Sequence, residues 1–555
     1  MTVKPDTGRR VSRREFLAEL ALATGGALFG PVVFSHAQGQ VKPGQPLPPL
    51  LMESYSPPQY VQAVRIYIQE LRKLGIRVKH RPMTFPALIG KVYRRHNYVT
   101  ALAGFGSATE RIDPDFYLRS MYHTDGGFNV AGYSVPEYDR VVEAQARELD
   151  PQKRKRLIEK AQRIFARDLP SWPVIGQASV HPHNVRLFTK YIFRKVTGLG
   201  LDGVETYLEL QPTGDVKEVN VATILHMNSA HLFTERYSSG RDLLRLVYDT
   251  FFKYDRNFDL IPWAAESYKV TDGTTVELRI RDGMTWHDGK PVTAQDVKFT
   301  FDYLLKWRPV MWRFTLTPIK SVELVDSLTV RIRLHHPSAI FKTVSLAFIT
   351  ILPKHIWKDI PEKAGVKKPS DWNMAKHGAI GSGPFKLEAF EKDVDCHISA
   401  NRDYWKGAPK IEGLHFVQAA SIEQILGGME NQTLHITTQG LNVPEGRKLA
   451  ERPYIDLYAK SGQVISYFFL NLREPLFQDP ALRRAFYYAT PKQKIVDVAW
   501  GGGGIPARRS PLPPVFTDWI PSDLPGDEYN IDRAKKVLAD AGYSWKNGLL
   551  VTKGA

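Results

Sequence analysis

The two ends of the chain read as one interrupted passage. Near the C-terminus, Tyr529 to Tyr543 (YNIDRAKKVLADAGY) has the pattern of a helix, and a short apolar run, Leu549 to Thr552, follows it. No strand partner for that run lies downstream. A strand-like stretch, Pro46 to Tyr55 (PLPPLLMESY), stands near the front instead and leads into a second helical pattern, Tyr60 to Leu74. Joined end to start, the segments make strand, turn, strand, helix, which predicts a circularly permuted order. Permutation is tolerated at exposed turns whose flanking strands stay paired, and a break between neighbouring strands meets that condition.

Residues 1–37 are set aside from the fold. Ser12-Arg13-Arg14-Glu15-Phe16-Leu17 resembles the twin-arginine export signal, with Arg13 and Arg14 as its defining pair. The apolar stretch Leu20 to Phe34 serves as its h-region, and Ser35-His36-Ala37 offers small residues at the cleavage positions. That stretch is shorter than the ~20 residues needed to span a bilayer, which argues against a retained anchor. The expectation is export by the Tat machinery, cleavage near Ala37 and a soluble periplasmic product. No Cys follows that point, so a lipid anchor is not indicated.

The 555 residues supply two or more domains, and 43% hydrophobic with 24% charged residues marks a globular chain. Cys396 is the single cysteine, so no intramolecular disulfide forms even in an oxidising compartment. The formal charge is +17, and the leader's five basic and three acidic residues leave +15 on the rest. The Lys and Arg residues are dispersed, without the basic-aromatic motif of a nucleic-acid module, so nucleic acid is not an expected partner.

Strand and helix patterns alternate throughout, which points to α/β layers. Val61, Val64, Ile68, Leu71 and Leu74 share one face of the first helix, and Gly75 stands where a left-handed cap is usual. Pro151 to Arg167 reads as a helix, and Trp172 to Ile175 as the strand after it. Thr274 to Ile280 alternates as a strand does. Thr293 followed by Asp296 forms a variant capping box that opens a helix. Gly501 to Gly504 lacks the Lys-Ser/Thr ending of a phosphate loop and reads as a turn.

Several blocks resemble the extracytoplasmic solute-binding proteins of peptide, opine and nickel ABC transporters (family 5). Arg281 to Val297 (RDGMTWHDGKPVTAQDV) is similar to that family's most characteristic segment. Gly381 to Trp405 (GSGPFKLEAFEKDVDCHISANRDYW), continued by Lys406-Gly407-Ala408-Pro409-Lys410, resembles its second signature. Asn471 to Ala489 (NLREPLFQDPALRRAFYYA) and the AKKVLADAGY stretch ending at Tyr543 are similar to two further blocks, and Asn129 to Asp139 (NVAGYSVPEYD) to a late one. The order departs from the family: late material occupies about residues 44–210 and early material follows it.

The resemblance implies an α/β, two-lobe clamshell of the type 2-like periplasmic binding proteins, here circularly permuted. Chain crossings are expected near Trp172 to Ala178 and near Gly462 to Tyr467. Lobe II would then comprise 38–172 and 465–555, and lobe I the continuous segment 173–464. The implied function is a monomeric periplasmic receptor that captures a peptide-like or other polar organic solute and delivers it to ABC permease subunits in the inner membrane. No cofactor and no enzymatic activity are implied.

In peptide-binding family members a Gly-Trp-x-x-Asp segment lines the cleft, its acid pairing with the ligand's amino terminus. The matching stretch here is Gly104-Phe105-Gly106-Ser107-Ala108: Phe105 holds the aromatic position, Ala108 that of the acid, and Glu110 offers a carboxylate two residues on. A buried ammonium without a carboxylate partner loses hydration uncompensated, so a free dipeptide is less favoured. The remaining candidate ligand residues are His226 and Asn228, ending the first lobe I strand, and Tyr467 and Asn471, beyond the second crossing.

Rival readings are a nickel or metal-chelate receptor, supported by the scattered His181, His183, His226 and His231, a periplasmic hydrolase on the same fold, and a non-functional product of a rearranged gene. His287 beside Asp288 reads as a structural turn, since adjacent residues point apart and no third ligand lies at metal spacing. Cys396 reads as a buried thiol, and no residues assemble into a catalytic triad or carboxylate pair.

Overall fold

A computed structural model describes residues 43–554 apart from 201–202, 224–226, 236, 310–311, 375–378, 439–440 and 527. The leader with Arg13 and Arg14 therefore lies outside the described residues, as does His226.

One sheet of eleven strands organises the molecule. Its strands are β1 (Leu50–Tyr55), β2 (Val78–Met83), β3 (Thr100–Phe105), β4 (Ser171–Asn184), β5 (Glu218–Thr223), β6 (Phe385–Glu391), β7 (Asp395–Ala400), β8 (Gly413–Gln418), β9 (Ile436–Thr437), β10 (Ile455–Leu470) and β11 (Gly504–Pro506). They lie in the order β6-β7-β8-β5-β9-β4-β10-β3-β1-β2, with β11 also against β4. β4 and β10 are long enough, 14 and 16 residues, to serve both ends of the sheet. Their register runs antiparallel from Ile455 opposite Asn184 to Phe469 opposite Ser171, and breaks between Ser461 and Ile465. Beyond that bulge β10 pairs with β3 on its other side. On the near side of the bulge, β4 meets β9.

Two large cores lie on either side of the bulge, and a third, smaller cluster packs around Val180, Ala222, Ile425 and Ile455. The larger draws its buried side chains from Phe188 to Ile436, among them Trp263, Trp286 and Trp357. The other combines Tyr55 to Phe165 with Ile465 to Phe516. Period-3.6 patterns put the helices on these cores: α1 (Pro58–Lys73) buries Val64, Ile68 and Leu71, and α2 (Pro151–Asp168) buries Ile158, Ala161 and Phe165. α3 (Ala294–Trp307) opens on the capping box expected from Thr293 and Asp296. α4 (Ile531–Asp540) buries Ala534 and Leu538.

The terminal segments lie side by side. Gly44 N donates to Lys553 O at 3.0 Å, Leu47 N to Leu550 O at 2.8 Å and Thr552 N to Gln45 O at 3.0 Å. The detail differs from the sequence reading. The apolar run forms β13 (Leu549–Val551), whose ladder partner lies upstream in β12 (Ser544–Lys546), and it meets the front of the chain through the arm at Gly44–Leu47 and through Gly75, whose carbonyl accepts from Leu550 N at 3.0 Å. Leu50–Tyr55 belongs to the main sheet instead, paired in parallel with β2 and β3, because its both-sided burial suits a central strand.

Candidate functional site

The carboxyl ends of parallel strands are where open α/β sheets place ligands, because the connecting loops diverge there and leave a crevice. β1 ends at Tyr55 and β3 at Phe105, and both ends carry aromatic side chains. The Tyr55 ring meets Tyr60, in the first turn of α1, edge-on at 5.2 Å and stacks on Phe85 at 5.5 Å. Tyr60 meets Trp500 at 5.4 Å, and Phe85 reaches Tyr237 of the larger half at 6.1 Å. The wall is fixed by polar contacts: Gln177 donates to Tyr60 Oη (2.9 Å) and to Ser466 Oγ (2.8 Å), and Tyr93 Oη donates to Gly104 O (2.9 Å). Burial raises the pKa of Tyr55, Tyr60 and Tyr93, so these phenols stay neutral hydrogen-bonding groups.

The loop after β3 closes this wall. Phe105 packs edge-on against Tyr93 and Phe116 at 5.4 Å each, and against Phe128 and Tyr467. Arg111 lies over the faces of Phe105 (5.3 Å) and Phe116 (5.2 Å) and donates to Gly106 O at 2.6 Å. Ala108 N donates to Oε1 of Gln463, which sits in the β10 bulge. Three links tie the loop region to the larger half. Arg245 donates to Thr109 Oγ1 (2.9 Å), Thr343 Oγ1 to Asp113 Oδ2 (2.9 Å), and Ala339 N to Ala146 O (2.9 Å). Asp113 is buried, which raises its pKa, but the paired Arg154 guanidinium overrides this and holds the carboxyl below its ordinary value.

The sequence-derived candidates fall into three groups. Phe105, Gly106 and Ser107 lie together on this loop, Phe105 buried and Gly106 exposed. The side chain of Glu110 is outside the description, as is His226. Asn228, Tyr467 and Asn471 have their polar groups engaged within the fold. With its amide nitrogen turned toward Glu235, Asn228 donates to Oε1 at 2.6 Å. Tyr467 Oη donates to Pro511 O, and Asn471 Nδ2 to the carbonyls of His96 and Tyr98. Glu235 anchors the loop of the larger half by accepting from the backbone N–H groups of Asn228, Ser229 and Tyr237, and burial pushes its pKa up to about 7.

Tyr55, Tyr60, Arg111, Gln177, Gln463 and Trp500 were missed by sequence reasoning. For Tyr55 a signal existed, an aromatic residue closing an apolar strand just before Ser56-Pro57-Pro58. For Gln463 none did, since its reach depends on a bulge. The motif residues outside the cleft are structural. His287 Nε2 lies 3.0 Å from Gly383 O, with its own N–H donating to Gly381 O, and Cys396 is fully buried, its thiol pushed up to about 12 by burial.

Two α/β halves threaded by a pair of long antiparallel strands, with an aromatic cluster beside the bulge, define a two-lobed binding-protein fold. The sequence profile described as "Bacterial extracellular solute-binding proteins, family 5 Middle" matches residues 259–554. The chain belongs to this family. It is 29% identical over 326 residues to the oligopeptide-binding protein AppA of Bacillus subtilis (strain 168), covering 57% of this chain and 58% of that protein. It is 26% identical over 304 residues to the dipeptide-binding protein of Escherichia coli (strain K12), covering 51% and 55%. The chain thus spans little more than half the length of these relatives. The structure of the periplasmic binding protein DppA from Helicobacter pylori, in complex with peptide STSA, is similar in fold, with a TM-score of 0.50 at 21% identity over 59% of this chain and 66% of that one.

Proposed function

We propose that this protein is an extracytoplasmic receptor that encloses a small peptide-like or polar organic solute between its halves and hands it to an ABC permease. The observation that carries the reading is the bulge shared by β4 and β10. It is the place where the sheet changes partners, and the aromatic cluster of Tyr55, Tyr60 and Trp500 sits beside it. Ligand contacts drawn from both halves are complete only when the crevice is shut, so binding favours closure. Relatives named for oligopeptide and dipeptide binding support the solute class. No helix among the described residues is long and apolar enough to cross a membrane.

Small-angle scattering tests the reading. A saturating mixture of short peptides should shrink the radius of gyration, and an unchanged radius with ligand bound by mass spectrometry would remove the clamshell mechanism. The nickel reading gains nothing from the described histidines. His181 Nδ1 is 3.0 Å from Thr437 O, His183 Nδ1 is 3.1 Å from His181 O, and His231 Nε2 is 2.9 Å from Pro369 O.

The proposal extends to chain order and export. The hydrogen-bonded arms at 44–47 and 550–553 support a permuted order. So do the family-like blocks between Gly104 and Asp139, which stand ahead of the profile match at 259–554. Residues 213–217, which would join the family's usual ends, are exposed. The assigned lobes are 38–172 with 465–555, and 173–464. Export by the twin-arginine route and action as a monomer complete the proposal. Replacing Arg13 and Arg14 with Lys should abolish export.

A further inference from the structure

A cavity of about 370 Å³ opens on the larger half, away from the aromatic cluster. Lys190, Tyr191, Ile192 and Leu208 reach it from the link between β4 and β5, and Lys406 reaches it from the link between β7 and β8. Ser399 of β7 pairs with Gly413 of β8, and Gly413 with Glu218 of β5, so both links meet at the amino ends of β5 and β8. The loop that brings Tyr237 to Phe85 follows the opposite end of β5, at Thr223. The cavity is therefore separate from the crevice.

Its lining carries both signs of charge on different elements. Glu205 and Glu209 stand one turn apart on the short helix Val204–Glu209, a spacing at which like charges repel each other. Lys190, Arg256 and Lys406 bring cations from three other segments. Each segment is anchored. Lys195 N donates to Arg256 O at 2.8 Å, and Tyr191 Oη donates to Asn184 O at 2.7 Å. The Lys406 ammonium lies over the rings of Trp263 (5.0 Å) and Trp405 (5.7 Å). Tyr191, Ile192 and Leu208 add apolar surface to the same space.

We propose that this cavity is a second binding site, for a small zwitterion with an apolar body, the class of a free aliphatic amino acid. Glu205 and Glu209 receive its ammonium, Lys190, Arg256 and Lys406 its carboxylate, and Tyr191 and Leu208 its side chain. A simple anion would meet two carboxylates and a simple cation three cations, whereas a zwitterion offers each set the opposite charge. The volume lies at the small end of the roughly 300–1,000 Å³ of ligand pockets, which suits one amino acid better than an oligopeptide. Lys190, Glu209, Arg256 and Lys406 are exposed, so binding weakens as salt is added. This site does not depend on what the crevice takes.

The test titrates the purified full chain with L-leucine, N-acetyl-L-leucine and L-leucinamide in a calorimeter. Leucine should bind about fivefold more tightly than either blocked form. Glu205→Gln should erase the advantage over N-acetyl-leucine, and the double variant Arg256→Met, Lys406→Met, which keeps both apolar stems, should erase the advantage over leucinamide. Hydrogen exchange with saturating leucine should protect residues 204–209 and leave 106–111 unchanged. No binding of leucine, equal binding of the three probes, or unaltered affinity in the variants overturns the inference and leaves the receptor reading standing. Protection at 106–111 in place of 204–209 puts leucine in the crevice, which overturns this inference and supports that reading.

Discussion

The two halves of the molecule solve the same burial problem with different connectivity. Asp249 of the larger half is enclosed by neutral donors, Trp263 Nε1 at 2.8 Å, Tyr404 Oη at 3.0 Å and Ser382 Oγ at 3.2 Å, and burial raises its pKa. Asp113 of the other half is paired with Arg154 and reaches Thr343 across the crevice. The first carboxyl is held by partners from one stretch of chain, 249–405. The second half relies on partners far apart in sequence. Tyr67 Oη donates to Phe486 O, Trp172 Nε1 to Thr490 Oγ1, and Gln162 Nε2 to Trp519 O. The larger half is therefore local and self-sufficient, while the smaller exists only when both ends of the chain are in place.

The largest effect that probes this contrast is Asp249→Ala. It strands several buried donors in one core and should cost about 3–5 kcal/mol in denaturant unfolding, with the loss confined to the larger half. Asp113→Ala should cost a similar amount but also loosen the crevice, because it frees Arg154 and the link to Thr343. Hydrogen exchange separates the two. If Asp249→Ala deprotects β1 and β3 as much as β5 and β8, the halves are one cooperative unit and the contrast is wrong.

Acid should act on the larger half next. Burial lowers the pKa of His231 and of His287 to about 4 from an ordinary 6.5. A depressed folded value means that the unfolded chain takes up protons first, so stability is full above pH 6.5 and falls progressively toward pH 4. The expected loss is about 2–3 kcal/mol per histidine, and His287→Gln should flatten its share of the slope in a urea titration at several pH values. A slope unchanged by the substitution would show that His287 does not carry the pH dependence.

How much of this was legible in the sequence depends on how local each signal is. The capping box at Thr293 and the helix opening at Pro151 follow from neighbouring residues, and both are present. β12 and β13 are three residues each, with exposed Ser544, Trp545 and Lys546, so no period marked them as a hairpin. Tyr467 and Asn471 follow the same logic from the other side. Ile465 to Leu470 is buried on both faces, so proximity to the crossing carried no information about which way a side chain turns. The reach of Gln463 to Ala108 depends on a register break, and that is set by pairing with β4.

At the seam between the terminal segments the expected effects are smaller and site-specific. Gly75 has φ +76°, and a Cβ there would lie 2.6 Å from both Gly548 O and Leu550 N. Gly75→Ala should cost about 2 kcal/mol, since backbone atoms cannot step aside and the conformation is left-handed. Gly44 has φ +69° but open space around its Cβ, so Gly44→Ala should cost no more than about 1 kcal/mol. Equal losses at the two positions would mean that the packing of the C-terminal hairpin against Gly75 contributes nothing.

The smallest effect is expected at residues 213–217, all exposed, the join that the proposed permuted order places there. β4 is laced between β9, β10 and β11, and β10 continues to β3, so the segment before this loop is held in the sheet by strands that follow it. Cutting one exposed link in such an assembly removes little, because the non-covalent contacts already hold the ends near one another. An engineered protease site replacing Gly214–Val216 should yield two fragments that co-elute in gel filtration and unfold together, with stability lowered by less than about 1 kcal/mol at micromolar protein. Fragments that separate under native conditions would show that the covalent link, and not the interleaved strands, unites the two ends of the chain.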